Sequence, residues 1–390
     1  MQDKDSNMHK RVTAGTGASL TILLLLAPAA FAETPGDGGG DGSGNVIQIE
    51  SMGARAFGGT TIPMPDSPSA DDPTNFQACD HGFAEWFIPP DARQHAMVLV
   101  HGSSTRTYQT TFDGQPGFQT ILLRQGFPVY LVDLPWTGRA GKACDEYTWD
   151  PVNETFSARF VFTNRVGTWP EDTPASQKEF FPGVAFTQDP EELDQYFRNQ
   201  YVEFNEPHNV ERESRALAVL LEEVYEEHGA GAILHTHSSS HARGLLAPRL
   251  TDKVAGQIGW EPSADPVFPE GELPPPIPRA DGEEIPAGTE IPLEEFLKLT
   301  RHPILLIWGD YIAQELDPEN GATPPETRRV RLEQYRLFAE VANKHGGDVT
   351  NLVLPEAGIT GNTHYPQADT NITEVAEIVN GWLEEKGLNK

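Results

Sequence analysis

One serine of this chain is placed where covalent hydrolysis would need a nucleophile. Ser238 begins a serine triplet that follows a short apolar run, 232–234, and precedes a helix-like run, 242–250. A tight corner between a strand and a helix forces such a serine into a strained conformation and lifts its hydroxyl above the sheet. The spacing therefore makes Ser238 the candidate nucleophile, with Ser239 and Ser240 as its rivals.

The flanks of Ser238 depart from the usual pattern of such a corner. Glycine is expected two positions before and two positions after the serine, because strand and helix approach closely there. Thr236 and Ser240 occupy these positions, and the β-branched threonine is the less comfortable of the two. Because serine clusters are commonly turns or helix N-caps, the assignment depends on finding the partners of the serine.

A nucleophilic serine needs a general base and an oxyanion hole. His364 lies in a loop between the last predicted strand and the last predicted helix, from where it would reach back over the sheet to the serine. The oxyanion hole would combine the backbone N–H groups of Ser239 and Ser103. Gly102 supports this prediction, because glycine lets the chain turn and approach a substrate closely.

Two carboxylates compete for the role of the acid that orients the histidine. Glu261 lies between Trp260 and Pro262 at the end of one predicted strand, and Asp310 follows the end of the next. A carboxylate enclosed in this way at a strand end is unusual without a partner, whereas Asp310 is equally explained by a helix cap or a turn. We favour Glu261 and keep Asp310 as the alternative.

The elements that must position these residues alternate between short apolar runs and helical periodicity. This order favours an α/β fold with a mostly parallel central sheet flanked by helices, with one early antiparallel strand at 83–88. The further strands are predicted at 96–100, 128–132, 231–235, 254–260, 304–308 and 350–354. The helices are predicted at 118–125, 212–227, 242–250, 327–345 and 371–386.

Two insertions interrupt the pattern, at about 136–209 and 262–292. The first follows the strand ending near Asp133, and insertions after parallel strands lie at the edge of the sheet where ligands bind. It is rich in aromatic residues: Phe160, Phe162, Trp169, Phe180, Phe181 and Phe186. We interpret it as a cap over the substrate pocket; the alternative is a surface excursion with its own small core. The predicted pocket residues are His101, His237, Trp169, Phe180 and Phe181.

Composition limits the partners of the 390-residue chain. Its formal net charge of −30 argues against nucleic acid and anionic membranes. The charge would suit saline surroundings, although a solvated acidic surface without a specific partner is the interpretation we prefer. Residues 1–32 have the basic start, short apolar core and small-residue end of a signal peptide, and 33–45 form a predicted disordered Gly/Asp-rich linker. We therefore expect a secreted or periplasmic protein whose hydrolase domain covers 46–390.

Cysteine and histidine residues leave two further questions open. Cys79 and Cys144 would form a disulfide in an exported protein, or remain two buried thiols. His235, His237 and His241 surround the serine triplet, and alternate strand residues such as His235 and His237 could share a metal ion, with His101 as a neighbour. We disfavour metal binding, because the chain contains no recognised metal motif.

The motifs together resemble the α/β-hydrolases. The matching stretches are Val98 to Gly102, the corner at Ser238, Glu261-Pro262-Ser263, Pro303 to Asp310 and Gly361 to His364, in the order serine, glutamate, histidine. Within that superfamily the chain is most similar to secreted bacterial esterases of the Alcaligenes esterase type. It resembles them in the Asp113-Gly114-Gln115-Pro116-Gly117 stretch and in a glutamate acid after the sixth strand, over about residues 83–383.

This resemblance implies Ser238 as nucleophile, His364 as base and Glu261 as acid, a carboxylic-ester substrate and no cofactor. We therefore predict a secreted serine esterase that works through an acyl-enzyme intermediate. The aromatic cap indicates an apolar or aromatic acyl or alcohol group, and a lactone or a polymeric ester would also fit. The alternative is a non-catalytic or metal-binding protein on a hydrolase fold.

Overall fold

The computed structural model describes residues 46–64, 75–141, 143–144, 157–163, 165–319 and 321–390. The predicted signal peptide and the predicted linker lie outside these residues. Residues 47–390 belong to one unit by their internal contacts, and this unit contains everything described below. Within the described ranges, no helix has both the length and the hydropathy needed to cross a bilayer.

The described chain folds into strands and helices that alternate along most of its length. The strands are β1 (Ser51–Phe57), β2 (Thr60–Pro63), β3 (Phe76–Cys79), β4 (Gly82–Ile88), β5 (Met97–Val100), β6 (Val129–Asp133), β7 (Gly167–Thr168), β8 (Glu179–Phe180), β9 (Ala232–His237), β10 (Val254–Trp260), β11 (Val267–Pro269), β12 (Ile277–Pro278), β13 (Glu284–Ile285), β14 (Thr289–Ile291), β15 (Ile304–Trp308) and β16 (Val349–Val353). The α-helices are α1 (Arg106–Gln109), α2 (Phe118–Arg124), α3 (Ala158–Thr163), α4 (Pro190–Arg198), α5 (Pro207–His228), α6 (His241–Leu250), α7 (Leu293–Leu299), α8 (Pro324–Lys344) and α9 (Ile372–Glu385).

The central sheet has eight strands in the order β1-β4-β6-β5-β9-β10-β15-β16. The six strands from β6 to β16 in this order are parallel to one another. β4 pairs antiparallel with β6, and β1 pairs antiparallel with β4, so the predicted antiparallel strand is confirmed. The sequence analysis missed β1, because this edge strand is largely exposed and carries no apolar run.

Alternate residues of the buried strands face the two helical layers. On β5, Met97 and Leu99 pack in a core with residues of α2 and α9, while Val98 and Val100 pack in another with residues of α5. This alternation follows from the period of two in a β-strand. A mostly parallel sheet covered by helices on both faces is the architecture expected of an α/β-hydrolase.

Both predicted insertions have structure of their own. The described part of the first contains α3, β7, β8 and α4, and it ends earlier than predicted because α5 begins at Pro207, where proline suits the first helical turn. The second forms two pairs of short strands, β11 with β14 and β12 with β13. Val267 and Phe268 of β11 pack into the same core as residues of α7 and α8.

Cys79 and Cys144 are joined in a disulfide, with their Cα atoms 5.2 Å apart. The bond connects the end of β3 to the chain that follows β6. Asp80, next to Cys79, accepts hydrogen bonds from the backbone N–H of Cys144 and from the indole of Trp136. Of the two alternatives that the sequence left open, the structure has the disulfide.

Candidate active site

Ser238 occupies the corner between β9 and the segment that leads into α6. Its φ of +54° is in the left-handed region, which a residue with a side chain rarely adopts. One turn of 3₁₀-helix, Ser238–Ser240, follows before α6 begins at His241. The corner therefore has the strained geometry that raises a serine hydroxyl above the ends of the strands.

The structure explains why threonine is tolerated two positions before Ser238. Thr236 faces Gly244 of α6, where an added Cβ would lie 3.1 Å from the threonine Oγ1 and 2.5 Å from Nε2 of Gln257. Thr236 also uses its hydroxyl, in a 2.8 Å hydrogen bond with Nδ1 of His241. Gly259 of β10 leaves room for that imidazole, because a Cβ there would lie 2.8 Å from its Cε1. Gly244 and Gly259 therefore provide the space that a glycine at position 236 would usually provide.

Ser240 is tolerated two positions after Ser238 because its hydroxyl binds the backbone N–H and carbonyl groups of His237. Its Oγ accepts a hydrogen bond from the N–H of His237 at 2.9 Å and lies 2.8 Å from the carbonyl oxygen of the same residue. The side chain therefore closes the turn on itself, as a capping residue does at the start of a helix. With this role assigned, Ser240 is no longer a rival for the nucleophile.

Replacing Gly244 with alanine is expected to lower the free energy of unfolding by about 1–3 kcal/mol, because the added methyl group overpacks the buried contact with Thr236 and Gln257. Gly381 provides the matched control: it also lies within a helix, α9, but nothing lies within 4 Å of its added Cβ. Gly381→Ala should be neutral or stabilising by roughly 0.5–1 kcal/mol. Urea unfolding of both variants measures these changes. If Gly244→Ala and Gly381→Ala were equally stable, Gly244 would not be the residue that makes room for Thr236.

His364 connects Ser238 to Glu261. Its Nε2 lies 2.8 Å from the serine Oγ, and its Nδ1 lies 3.3 Å from Oε2 of the glutamate. The backbone N–H of Gly309 donates to the other carboxylate oxygen. Glu261 itself has a positive φ of +43° at the end of β10. Three side chains from the carboxyl ends of the sheet thus form one continuous hydrogen-bonded series.

Asp310, the alternative acid, binds backbone N–H groups and not the imidazole. Its carboxylate accepts a 3.0 Å hydrogen bond from the N–H of Gly361 and a 2.8 Å hydrogen bond from the N–H of Tyr311. Its own N–H donates to the carbonyl of Asn362 at 2.8 Å. Asp310 therefore holds the loop that carries His364, and the structure brings Glu261, not Asp310, to the imidazole.

Burial and nearby charges favour a neutral imidazole in this series. Burial lowers the pKa of His364 well below its usual value, and the positive charges of Arg328 and Arg165 lower it further. Burial raises the pKa of Glu261 to about 7, while Arg328 and the Gly309 N–H support its ionised form. An imidazole without a proton on Nε2 is the form that can remove a proton from a serine hydroxyl.

The loop after β5 lies directly against the backbone that precedes Ser238. A Cβ added to Gly102 would lie 2.3 Å from the carbonyl oxygen of His237, so this contact requires glycine. Ser103 is buried, and its carbonyl accepts a 2.8 Å hydrogen bond from the N–H of Tyr201. Ser239 lines the pocket beside the nucleophile, and Ser103 is not among the residues that line it. The oxyanion role of their N–H groups remains a prediction.

The structure does not bring the five residues predicted to line the substrate pocket into the pocket that contains Ser238. His101 donates from Nε2 to Asp133 at 3.0 Å, and His237 donates from Nε2 to the carbonyl of His364 at 2.8 Å. Phe181 stacks on Tyr311, with ring centroids 4.5 Å apart. All five are absent from the lining of the pocket that contains Ser238.

The predicted aromatic lining forms a core of its own. Phe180 packs edge-on against Phe162, with centroids 5.0 Å apart, and Phe162 also contacts Trp169. The same cluster contains Tyr196 of α4 and reaches two residues outside the insertion, Phe112 and Tyr365. Aromatic rings gain most by burying one another in such edge-to-face contacts. These side chains therefore pack in a core, whereas Phe160 and Arg165 of the same insertion line the pocket that contains Ser238, and the cap stays a prediction.

The pocket beside Ser238 has a volume of about 380 Å³, and both polar and apolar side chains form its wall. It is lined by Phe160, Arg165, Glu203, Asn205, Ser238, Ser239, Glu261, Pro262, Ser263, Trp308, Pro324, Thr327, Arg328, Arg331 and His364. The sequence analysis missed its arginines. The sequence feature that could have indicated them is the spacing of Pro324, Thr327, Arg328 and Arg331, which places these residues on one face of α8. A polar helix face of this kind is usually exposed to solvent and does not by itself predict a pocket.

The histidines around the serine triplet have separate partners. His235 accepts a 3.2 Å hydrogen bond from the indole of Trp260 and lies 3.4 Å from the sulfur of Met97. His241 is paired with Thr236, and His237 with the carbonyl of His364. In the part of the chain that the structure describes, no three His, Cys, Asp or Glu side chains group as metal ligands.

Comparison with known proteins supports the fold. A bacterial esterase solved at atomic resolution is similar over 90% of this chain and 99% of its own, with a TM-score of 0.63 and 18% sequence identity. The curated "probable secreted lipase phiG" of a fungus (Fungal sp., strain ATCC 74256) is 24% identical over 345 residues, which are 78% of this chain and 86% of that protein. No family model matches the chain. The fold is that of the α/β-hydrolases, as the sequence predicted.

Proposed function

We propose that this protein is a serine hydrolase that cleaves carboxylic esters through an acyl-enzyme intermediate. The observation that carries the proposal is the hydrogen-bonded series Ser238–His364–Glu261, which opens into a pocket at the carboxyl ends of the parallel strands. The same constellation recurs in hydrolases of unrelated folds, where geometry rather than sequence position defines it.

In the proposed reaction, Ser238 attacks the ester carbonyl while its proton passes to Nε2 of His364. Glu261 keeps Nδ1 protonated and stabilises the imidazolium that forms. The N–H groups of Ser239 and Ser103 hold the negatively charged oxygen of the tetrahedral intermediate. The imidazolium then protonates the leaving alcohol, and water, activated by the same histidine, releases the acid and regenerates the serine.

The relatives support the reaction class and an exported location. The structurally similar protein is described as an esterase, and the curated relative as a probable secreted lipase. Together with the signal-like residues 1–32 and the disulfide, this favours a secreted or periplasmic enzyme. We place no metal or cofactor in the proposed mechanism, because proton transfer and oxyanion stabilisation are both assigned to groups of the chain.

A panel of chromogenic esters and lactones, combined with a fluorophosphonate probe, tests the proposal. We expect hydrolysis of at least one ester class and covalent labelling that peptide mass spectrometry assigns to Ser238. Inactivity on the whole panel together with an unlabelled serine would favour a binding protein on a hydrolase fold. Labelling at Ser239 would retain the reaction class but move the nucleophile.

A further inference from the structure

Ser263 places a second hydroxyl beside the proposed nucleophile. Its Oγ lies 3.1 Å from Oγ of Ser238, at hydrogen-bonding distance, and both residues line the same pocket. The two residues are also joined through the backbone, since the N–H of Ser263 donates to the carbonyl of Ser238 at 3.2 Å. The side chain is therefore held against the corner by its own main chain. The proposed triad does not use this contact, which touches the atom that would attack the substrate.

Ser263 belongs to the same short stretch of chain as the proposed acid. Glu261 follows β10 with a positive φ of +43°, and its Oε2 lies 3.3 Å from Nδ1 of His364. Pro262, between the two residues, has its φ fixed by its ring, which limits how far one can move relative to the other. Three consecutive residues thus contact both ends of the proposed triad, with the carboxylate at the histidine and the Ser263 hydroxyl at the nucleophile.

The triad decides which of the two hydroxyls donates. Because Glu261 accepts from Nδ1 of His364, a neutral imidazole has no proton on Nε2, and this nitrogen accepts the only hydrogen of the Ser238 hydroxyl over 2.8 Å. Burial favours the neutral imidazole, because it lowers the pKa of His364 well below its usual value. Ser238 then has only its two lone pairs left, so Ser263 is the donor in the contact between the two serines.

This arrangement leaves one lone pair of the Ser238 Oγ for the substrate. The bond to Cβ, the hydrogen directed to His364 and the lone pair that accepts from Ser263 take three of the four directions around the oxygen. The fourth direction follows from the other three, and correct orientation of an attacking group is a large source of rate. As the proton leaves Oγ, negative charge develops there and strengthens the hydrogen bond from Ser263, which favours the transition state over the ground state.

We propose that Ser263 is a further catalytic residue of this enzyme, whose hydroxyl donates to Oγ of Ser238 and directs the attacking lone pair to the ester carbonyl. In this step the bond between Oγ and the carbonyl carbon forms, and the π electron pair of the carbonyl moves onto its oxygen. The Oγ proton passes to Nε2 of His364, and Ser263 keeps its own proton. The inference rests on the proposed function and adds to it a group that contacts the nucleophile.

Ser263→Thr and Ser263→Val form the matched pair that tests the inference, because both side chains are β-branched and only threonine keeps the hydroxyl. The backbone at Ser263 does not have a positive φ, so it can accept either side chain. The readout is the second-order rate constant for labelling of Ser238 by a fluorophosphonate, which requires attack by Oγ but no deacylation. We expect Ser263→Val to react about tenfold more slowly than Ser263→Thr, the size of one hydrogen bond to a group that gains charge. Ser263→Thr should stay within about threefold of wild type.

Single-turnover release of 4-nitrophenolate from 4-nitrophenyl acetate, with the enzyme in excess, makes the same comparison for an ester. The acylation rate constant should be about tenfold lower in Ser263→Val than in Ser263→Thr. The enzyme concentration that gives half of the maximal rate should differ by less than about twofold between them, because the lost contact is to the nucleophile and not to the bound ester. If the valine variant does not fold, Ser263→Ala replaces it, with an expected loss of at least about threefold relative to Ser263→Thr.

Equal labelling and acylation rates in Ser263→Thr and Ser263→Val would overturn the inference while leaving the esterase proposal intact. A change confined to the half-saturating concentration, with an unchanged acylation rate constant, would also overturn it, because Ser263 would then act in substrate binding. Wild type that hydrolyses no ester and is not labelled at Ser238 by fluorophosphonate would instead refute the proposed function itself.

Discussion

Ser238→Ala is expected to lower kcat for ester hydrolysis by about four to six orders of magnitude, the range measured when a nucleophile is removed from a comparable triad. The alanine removes the hydroxyl that His364 would activate, whose Oγ lies 2.8 Å from Nε2. KM should change little by comparison, because the hydroxyl is one small part of the pocket wall and its main contribution is to bond formation. Steady-state kinetics on one chromogenic ester measures both quantities.

Ser239→Ala is the control for this loss. Its backbone N–H, which the proposed oxyanion hole uses, is unchanged, and the lost hydroxyl only binds Glu203. We expect a decrease in kcat of less than about tenfold, the size of one ordinary hydrogen bond. A Ser239→Ala variant as inactive as Ser238→Ala, or a Ser238→Ala variant that keeps a tenth of its activity, would contradict the assignment of the nucleophile.

Glu261→Gln is expected to lower kcat by about three to four orders of magnitude, as the corresponding amide substitution does in a serine protease triad. The amide oxygen can still accept from Nδ1 of His364, but it carries no charge to stabilise the imidazolium. The NH₂ group of the introduced glutamine can also donate to Nδ1 of His364. The imidazole would then carry its proton on Nε2, and this tautomer cannot accept the proton of the serine. In the native chain this contact joins Oε2 of Glu261 to Nδ1 of His364 over 3.3 Å.

Asp310→Asn provides the comparison, because it makes the same chemical change in the carboxylate that the sequence left as an alternative. Its two oxygens bind the N–H groups of Gly361 and Tyr311. Losing one of these hydrogen bonds should cost about 1–3 kcal/mol of stability, with kcat lowered by less than about tenfold. Thermal unfolding separates the two effects. A larger loss of kcat in Asp310→Asn than in Glu261→Gln would exchange the two roles.

The residues of the proposed triad were predictable because each is encoded next to a strand end. The apolar runs at 232–234, 254–260 and 304–308 define buried strands by local pattern alone. Once these strands are parallel, their carboxyl ends meet at one edge of the sheet, so Ser238 and Glu261 must lie close together. The same reasoning brings the loop of His364 to that edge.

Three features could not be predicted from the sequence, because they depend on contacts between distant parts of the chain. Thr236 is tolerated because of Gly244 and Gly259, and neither glycine is marked in the sequence as a partner of that threonine. Asp310 and Glu261 are both strand-end carboxylates, and only the path of the loop at 361–364 decides which one meets the imidazole. The order of residues in the sequence does not by itself show which of the two carboxylates contacts His364.

The lining of the pocket is the clearest case. Aromatic residues in the insertion predicted an apolar pocket, yet Phe162, Trp169, Phe180 and Phe186 pack in a core with Phe112 and Tyr365, and Phe160 lines the pocket beside Arg165 and Arg328. By itself, the sequence determined the fold, the strand ends and the side chains of the proposed triad, because periodicity and turn chemistry act over a few residues. Only the tertiary structure decided what surrounds them, because burial of a side chain depends on whichever distant segment packs against it.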